Sequence, residues 1–135
     1  MKEDFYFDTS IWLDIYEKRG YNGKVAKKLL KKIIEEDCIV IYSDLIKVEL
    51  KRLGYSKNEI NVIFNIAKPD NLRRVHIYEK QIDEARKLAK QRDVPKKDAL
   101  HAVISRDNNV QLVSKDYHFE KLKDITIYRK PEDFI

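Results

Sequence analysis

The chain has 135 residues, 43% hydrophobic and 38% charged, with a net charge of +5. That length and apolar fraction exclude intrinsic disorder and lead us to expect one domain, 1–135, with a core that needs no disulfide staple. A lone cysteine excludes an internal disulfide, Met1, Lys2, Glu3 and Asp4 lack the cationic start of a signal peptide, and no apolar run approaches the roughly 18 residues of a membrane span; a reducing, cytoplasmic location without membrane contact is expected.

The aromatic run at residues 5–7 stops at Asp8, Thr9 and Ser10, and residues 11–16 resume at helical spacing, which predicts strand, turn and helix. Val25, Leu29, Leu30, Ile33 and Ile34 then mark an amphipathic helix with Asn22 as its N-cap. Its lysines, Lys24, Lys27, Lys28, Lys31 and Lys32, read as a solvated face. Residues 39–42 are β-branched and too short for a helix, so they predict a second strand, with Cys38 as a small apolar residue at its entrance. Ser43 and Asp44 lead into a helix through Leu45, Val48 and Leu53 that Gly54 closes.

Ser56 and Glu59 have capping-box spacing ahead of Ile60, Ile63 and Phe64, and Pro69 is the expected stop. Residues 73–78 predict a third strand, Ile82, Ala85, Leu88 and Ala89 the next helix, and Pro95 opens another that runs to about Asn108. Residues 110–114 and 126–128 predict the last strands. Parallel neighbours need crossover connections, and those helices cover both faces; the class is therefore α/β, a three-layer α/β/α fold with a mostly parallel central sheet.

In such sheets ligands collect beyond the carboxyl ends of the strands, where Asp8, Asp44 and Asp116 fall. Asp44, beside Ser43, reads as a helix cap. Asp8 stands apart, because Thr9 and Ser10 can do the capping and leave its carboxylate facing a site. Taken singly, Glu49 between Val48 and Leu50 reads as exposed, and Asp98 in the first turn after Pro95 is explained by the helix dipole. His76, His101 and His118 lack any HExxH or clustered Cys/His spacing and read as structural, although His101 and His118 lie close in sequence to Asp98 and Asp116.

In order, Phe7-Asp8-Thr9-Ser10, Lys47-Val48-Glu49-Leu50, Lys97-Asp98-Ala99-Leu100-His101-Ala102 and Val113-Ser114-Lys115-Asp116 resemble the motifs of the PIN-domain nucleases. The resemblance continues into Tyr128, Pro131, Glu132 and Phe134 and implies a PIN-like, Rossmann-like topology of the VapC-like toxin ribonuclease branch. It makes Asp8, Glu49, Asp98 and Asp116 the catalytic, metal-binding acids, with Thr9, Ser10 and Ser114 in support. One departure is His118 before Phe119, where many members carry an acid or Asn, so a fifth acidic ligand is not expected.

Crowded carboxylates repel one another, and a hard divalent cation is their natural counter-charge; oxygen ligation suits Mg²⁺ or Mn²⁺ over zinc. The reaction the resemblance implies is metal-dependent hydrolysis of RNA phosphodiester bonds, leaving 5′-phosphate and 3′-hydroxyl ends. It also implies the toxin of a type II toxin–antitoxin pair: a homodimer neutralised by an antitoxin protein. An acidic pocket repels RNA, so a basic rim is needed, and Lys47, Arg52, Lys96, Lys97, Arg106 and Lys115 flank the motifs. The alternatives are a catalytically inactive PIN-like RNA- or protein-binding module and a housekeeping RNA-processing nuclease. A haloacid-dehalogenase-like phosphatase needs a second Asp where Ser10 stands, and the acid order does not fit a phospho-receiver domain.

Overall fold

A computed structural model describes residues 3–135; Met1 and Lys2 of the expected 1–135 domain lie outside the described residues. Five short strands, β1 (Phe5–Phe7), β2 (Val40–Tyr42), β3 (Leu72–Arg74), β4 (Gln111–Val113) and β5 (Tyr128–Arg129), pair in the order β3-β2-β1-β4-β5. Every pairing is parallel. The crossovers carry six helices: α1 (Thr9–Tyr16), α2 (Gly20–Glu35), α3 (Asp44–Arg52), α4 (Lys57–Phe64), α5 (Glu79–Arg92) and α6 (Lys96–Asp107). This is the expected three-layer α/β/α arrangement, with a sheet parallel throughout.

The central strand explains the aromatic run at the start of the chain. Phe5, Tyr6 and Phe7 are all buried, because β1 lies between β2 and β4 with helices over both faces. Trp12 of α1 packs against Phe7 at 5.5 Å and edge-on against Phe64 at 5.3 Å, tying the first helix to α4. β2 follows on one side of β1 and β4 sits on the other, so a crevice opens beyond their carboxyl ends.

Several boundaries differ from expectation. The turn from α1 to α2 uses left-handed Lys18 and Gly20, so α2 starts at Gly20 and Asn22 lies inside its first turn, not at its cap. Strand β3 stops at Arg74, because after Val75 the chain leaves the sheet to begin α5, where the Gln81 side chain accepts the Tyr78 N–H at 2.7 Å. The last strand shifts to Tyr128–Arg129, since Ile125 and Thr126 donate their N–H groups back to the Leu122 carbonyl. Helix α4 ends at Phe64, and Pro69 instead opens a 3₁₀ turn.

Gly54 closes α3 with φ +97°, and Ser56 and Glu59 make both capping-box bonds, at 3.1 and 3.0 Å. Helices α1 and α2 approach so closely at Gly23 that a Cβ there would lie 2.6 Å from the Asp14 carbonyl oxygen. The five lysines of α2 are exposed, and Cys38 is buried at the entrance to β2. Among the described residues, no helix is long and apolar enough to cross a membrane.

Candidate functional site

Phe7 pairs with Val113, so the residues that follow these strands meet just beyond the sheet. Ser114 donates its hydroxyl to Asp8 Oδ2 and accepts the Asp116 N–H at 3.0 Å. Asp8 Oδ1 accepts the Ile11 N–H at 3.2 Å and the Ser10 hydroxyl at 3.1 Å. Asp8 is therefore itself the N-cap of α1, contrary to the expectation that Thr9 and Ser10 would serve. It is the last extended residue before the helix, the position from which a short acceptor reaches back-turned N–H groups. Burial raises its carboxyl pKa, and the Ser114 bond works against that rise.

Thr9, released from capping, donates its hydroxyl to Glu49 Oε2 at 2.8 Å. Glu49 is not the exposed residue that its apolar neighbours in sequence predict: its side chain is 11% exposed. α3 leaves β2 across the top of the sheet and turns Glu49 toward the crevice. Burial favours the neutral acid, but the bonds from His101 and Thr9 outweigh it and hold the Glu49 pKa below its ordinary value.

Behind Glu49 runs a buried polar chain. His101 Nε2 lies 2.7 Å from Glu49 Oε1, His101 Nδ1 lies 2.7 Å from the Tyr6 hydroxyl, and that hydroxyl lies 2.8 Å from Ser43 Oγ. Burial pushes the Tyr6 phenol upward, so it stays neutral and available as a donor. Ser43 occupies the N-cap position of α3, yet its hydroxyl is spent on Tyr6 and makes no capping bond. Asp44 is not the cap either. It is the first helical residue and binds Arg74 with both oxygens, an exposed pair outside the crevice.

Asp98 enters from the first turn of α6 and is 4% exposed; burial, followed by the charge of Asp116, pushes its pKa up to about 6. Asp116 caps the 3₁₀ turn at Tyr117–Leu122 by accepting the His118 N–H at 2.9 Å. The His118 ring borders the site, turned toward two of its acids. Its Nδ1 lies 2.8 Å from Asp116 Oδ1 and 3.3 Å from Asp98 Oδ2. Neither that nitrogen nor Asp98 Oδ2 has an aligned hydrogen bond.

Asp8, Glu49, Asp98 and Asp116 all line one cleft of about 260 Å³. Ligand atoms of Asp98 and Asp116 from its lining and of His118 beside it lie within 4.8 Å of one another; Asp8 and Glu49 stand outside this tighter group. A buried carboxylate oxygen without a hydrogen bond is costly, and a divalent cation between these side chains would remove that cost, so the donor set fits such an ion.

The basic surroundings differ from those expected. Lys97 lines the cleft, and Lys96 is exposed next to it. Lys115 instead turns inward to Asp14, which is 3% exposed and demands a counter-charge. Arg106, at the far end of α6, is held by Glu84 and Asp107. Lys47 lies 5.7 Å from the centre of the Tyr42 ring, and Arg52 is exposed on α3. Arg19, which no motif marked, lines the cleft 3.6 Å from Asp14; only the fold of the α1–α2 turn puts it there.

A family model described as PIN domain matches residues 5–125, a span that includes every acid of the cleft. Among solved structures, VapBC2 from Rickettsia felis bound to a promoter DNA fragment is similar with TM-score 0.70 and 16% identity, covering 94% of this chain and 98% of that chain. VapBC-1 from nontypeable Haemophilus influenzae gives a TM-score of 0.69 and 14% identity, with 96% and 98% covered. VapC20 from Mycobacterium tuberculosis, described as a sarcin-ricin loop cleaving toxin, gives 0.63 and 15%, with 94% and 99% covered. No curated protein matches in sequence.

Proposed function

The chain belongs to the PIN domain family, and from that premise we propose that it is a Mg²⁺- or Mn²⁺-dependent endoribonuclease, the toxin of a toxin–antitoxin pair acting in the cytoplasm as a single nuclease domain. The observation that carries this reading is the convergence of Asp8, Glu49, Asp98 and Asp116, from four separate elements, on one cleft with a buried carboxylate oxygen that accepts no hydrogen bond. A structural role for each acid does not account for their meeting.

In this proposal the four acids hold the cation. Ser10 and Ser114 orient Asp8, and Thr9 with His101 orients Glu49. A bound divalent ion supplies counter-charge to a phosphodiester and acidity to a water. Arg19 and Lys97, cations at the cleft, offset the repulsion between its acids and an approaching RNA backbone. Lys96 extends that rim, while Lys115 acts through Asp14 and not on RNA directly.

The description of VapC20 as a cleaving toxin supports strand scission as the reaction. The neighbour described as a toxin–antitoxin complex from Klebsiella pneumoniae supports an antitoxin partner; the proposed toxin is a homodimer.

The test is incubation of purified protein with single-stranded RNA. Cleavage with Mg²⁺ or Mn²⁺, abolished by EDTA, is expected, with 5′-phosphate on the products. RNA binding without turnover would favour the inactive module, and metal-independent cleavage would overturn the mechanism. Growth arrest on expression, relieved by a co-expressed antitoxin, separates a toxin from a housekeeping nuclease.

A further inference from the structure

We propose that His118 is a nitrogen ligand of this cation site, through Nδ1, and that it tilts the site toward Mn²⁺ over Mg²⁺. The inference rests on the cation site proposed above and adds to it a donor that is not an acid. Three observations carry it.

The first is position. His118 Nδ1 lies 2.8 Å from Asp116 Oδ1 and 3.3 Å from Asp98 Oδ2, so the ring edge faces the space between the two carboxylates. The second is what those contacts are not. An imidazole serving as an ordinary donor would aim its N–H at one oxygen, yet Nδ1 and Asp98 Oδ2 are both buried atoms without a hydrogen bond. A buried ring nitrogen and a buried carboxylate oxygen side by side, each without a hydrogen bond, are a costly arrangement that a shared cation relieves.

The third is how firmly the ring is held. The His118 backbone N–H donates to Asp116 Oδ1 at 2.9 Å, and Phe119, the next residue, is fully buried. Tyr117 lies against the imidazole with ring centres 4.6 Å apart. The backbone at His118 is thus fixed before any ion arrives, which lowers the cost of using the residue as a ligand.

Imidazole nitrogen is a poor donor for Mg²⁺, which prefers oxygen and keeps its waters, and a better one for first-row transition ions. A site with Asp98, Asp116 and His118 at its heart should therefore discriminate Mn²⁺ from Mg²⁺ more strongly than an all-carboxylate site does. Mg²⁺ would gain little from the nitrogen.

The experiment titrates the intact protein with Mn²⁺ alone, followed by electron paramagnetic resonance, and then competes with Mg²⁺. Wild type is compared with His118→Ala and with His118→Gln, which keeps a polar side chain should the alanine variant fold poorly. Wild type should show ¹⁴N modulation in the electron spin echo of bound Mn²⁺. Both variants should lose it and bind Mn²⁺ at least about tenfold more weakly, with Mg²⁺ affinity little changed.

Mn²⁺ bound as tightly by the variants as by wild type, or ¹⁴N modulation that persists in both, would overturn this inference alone. Tighter binding of both ions by the variants would assign His118 to a competing counter-cation and overturn it too. Failure of wild type to bind either ion would instead remove the cation site, and the proposed function with it.

Discussion

His101 and Glu49 grip each other across the wall of the cleft, with Nε2 2.7 Å from Oε1, and the far side of the same ring rests on Tyr6. A carboxylate accepts, so Nε2 donates to Glu49, and the Tyr6 hydroxyl holds Nδ1 on the far side of the ring. The orientation of Glu49 is thereby set from the middle of β1, fully inside the core.

Tyr6→Phe removes the hydroxyl and leaves His101 Nδ1 and Ser43 Oγ without partners in a dry interior. Folding stability should fall by about 1–3 kcal/mol in urea titrations. RNA cleavage should fall as well, because Glu49 loses its support. An unchanged urea midpoint would show that the chain of bonds does not hold the core.

Asp8→Asn and Asp116→Asn are near-isosteric and should each lower RNA cleavage by at least about 10²-fold, since both weaken the hold on the ion. Without metal, Asp116→Asn should hold or gain stability, because it removes the charge that pushes on Asp98. Asp8→Asn keeps an acceptor for the Ile11 N–H and should cost about 1 kcal/mol or less. Undiminished cleavage by both purified variants, with unaltered Mn²⁺ dependence, would end the case for these residues.

Asp98 gives a pH dependence of definite sign. Its pKa in the fold is about 6 against an ordinary 3.8, so between those values the folded chain holds a proton that the unfolded chain has lost. In EDTA this contribution to stability is fully present below the lower value and is lost as pH rises through the higher one. Urea midpoints measured across that window should show the loss, Asp98→Asn should flatten it, and Mn²⁺ should restore stability at the upper end. A midpoint in which wild type and Asp98→Asn vary identically with pH would contradict the assignment.

Gly23→Ala tests the seam between α1 and α2. Alanine in a helix is normally favoured over glycine by about 0.5–1 kcal/mol. Here the added Cβ would stand 2.6 Å from the Asp14 carbonyl oxygen, a backbone atom that also accepts the Arg19 N–H. Overpacking of this kind costs about 1–3 kcal/mol, so the melting temperature should drop where propensity alone predicts a rise.

The alternation of strands and helices was legible because each crossover helix carries its own apolar periodicity, as in Val25, Leu29 and Ile33. Strand ends were not, since strands of two or three residues leave too few positions for a pattern. Among the acids, the motif resemblance singled out Asp8, Glu49, Asp98 and Asp116, which line one cleft. What escaped was everything that depends on distant pairing. Tyr6 and His101 are 95 positions apart, and Arg19 reaches the cleft only because the α1–α2 turn folds it there. Asp8 as cap was missed because Thr9 and Ser10 are equally good capping types, and the choice among them is made by where the strand ends.

The two outer strands bear on how copies of this molecule meet. β3 is three residues long and ends in Arg73 and Arg74, and β5 is Tyr128 and Arg129. An open edge is a template for adding strands from another molecule, and short length with positive charge is a recurrent way of blunting it. Edge-to-edge approach here would offer a ladder of only a few hydrogen bonds while setting Arg73 and Arg129 at the edges, Arg74 being held by Asp44. Runaway fibre-like growth is thereby discouraged.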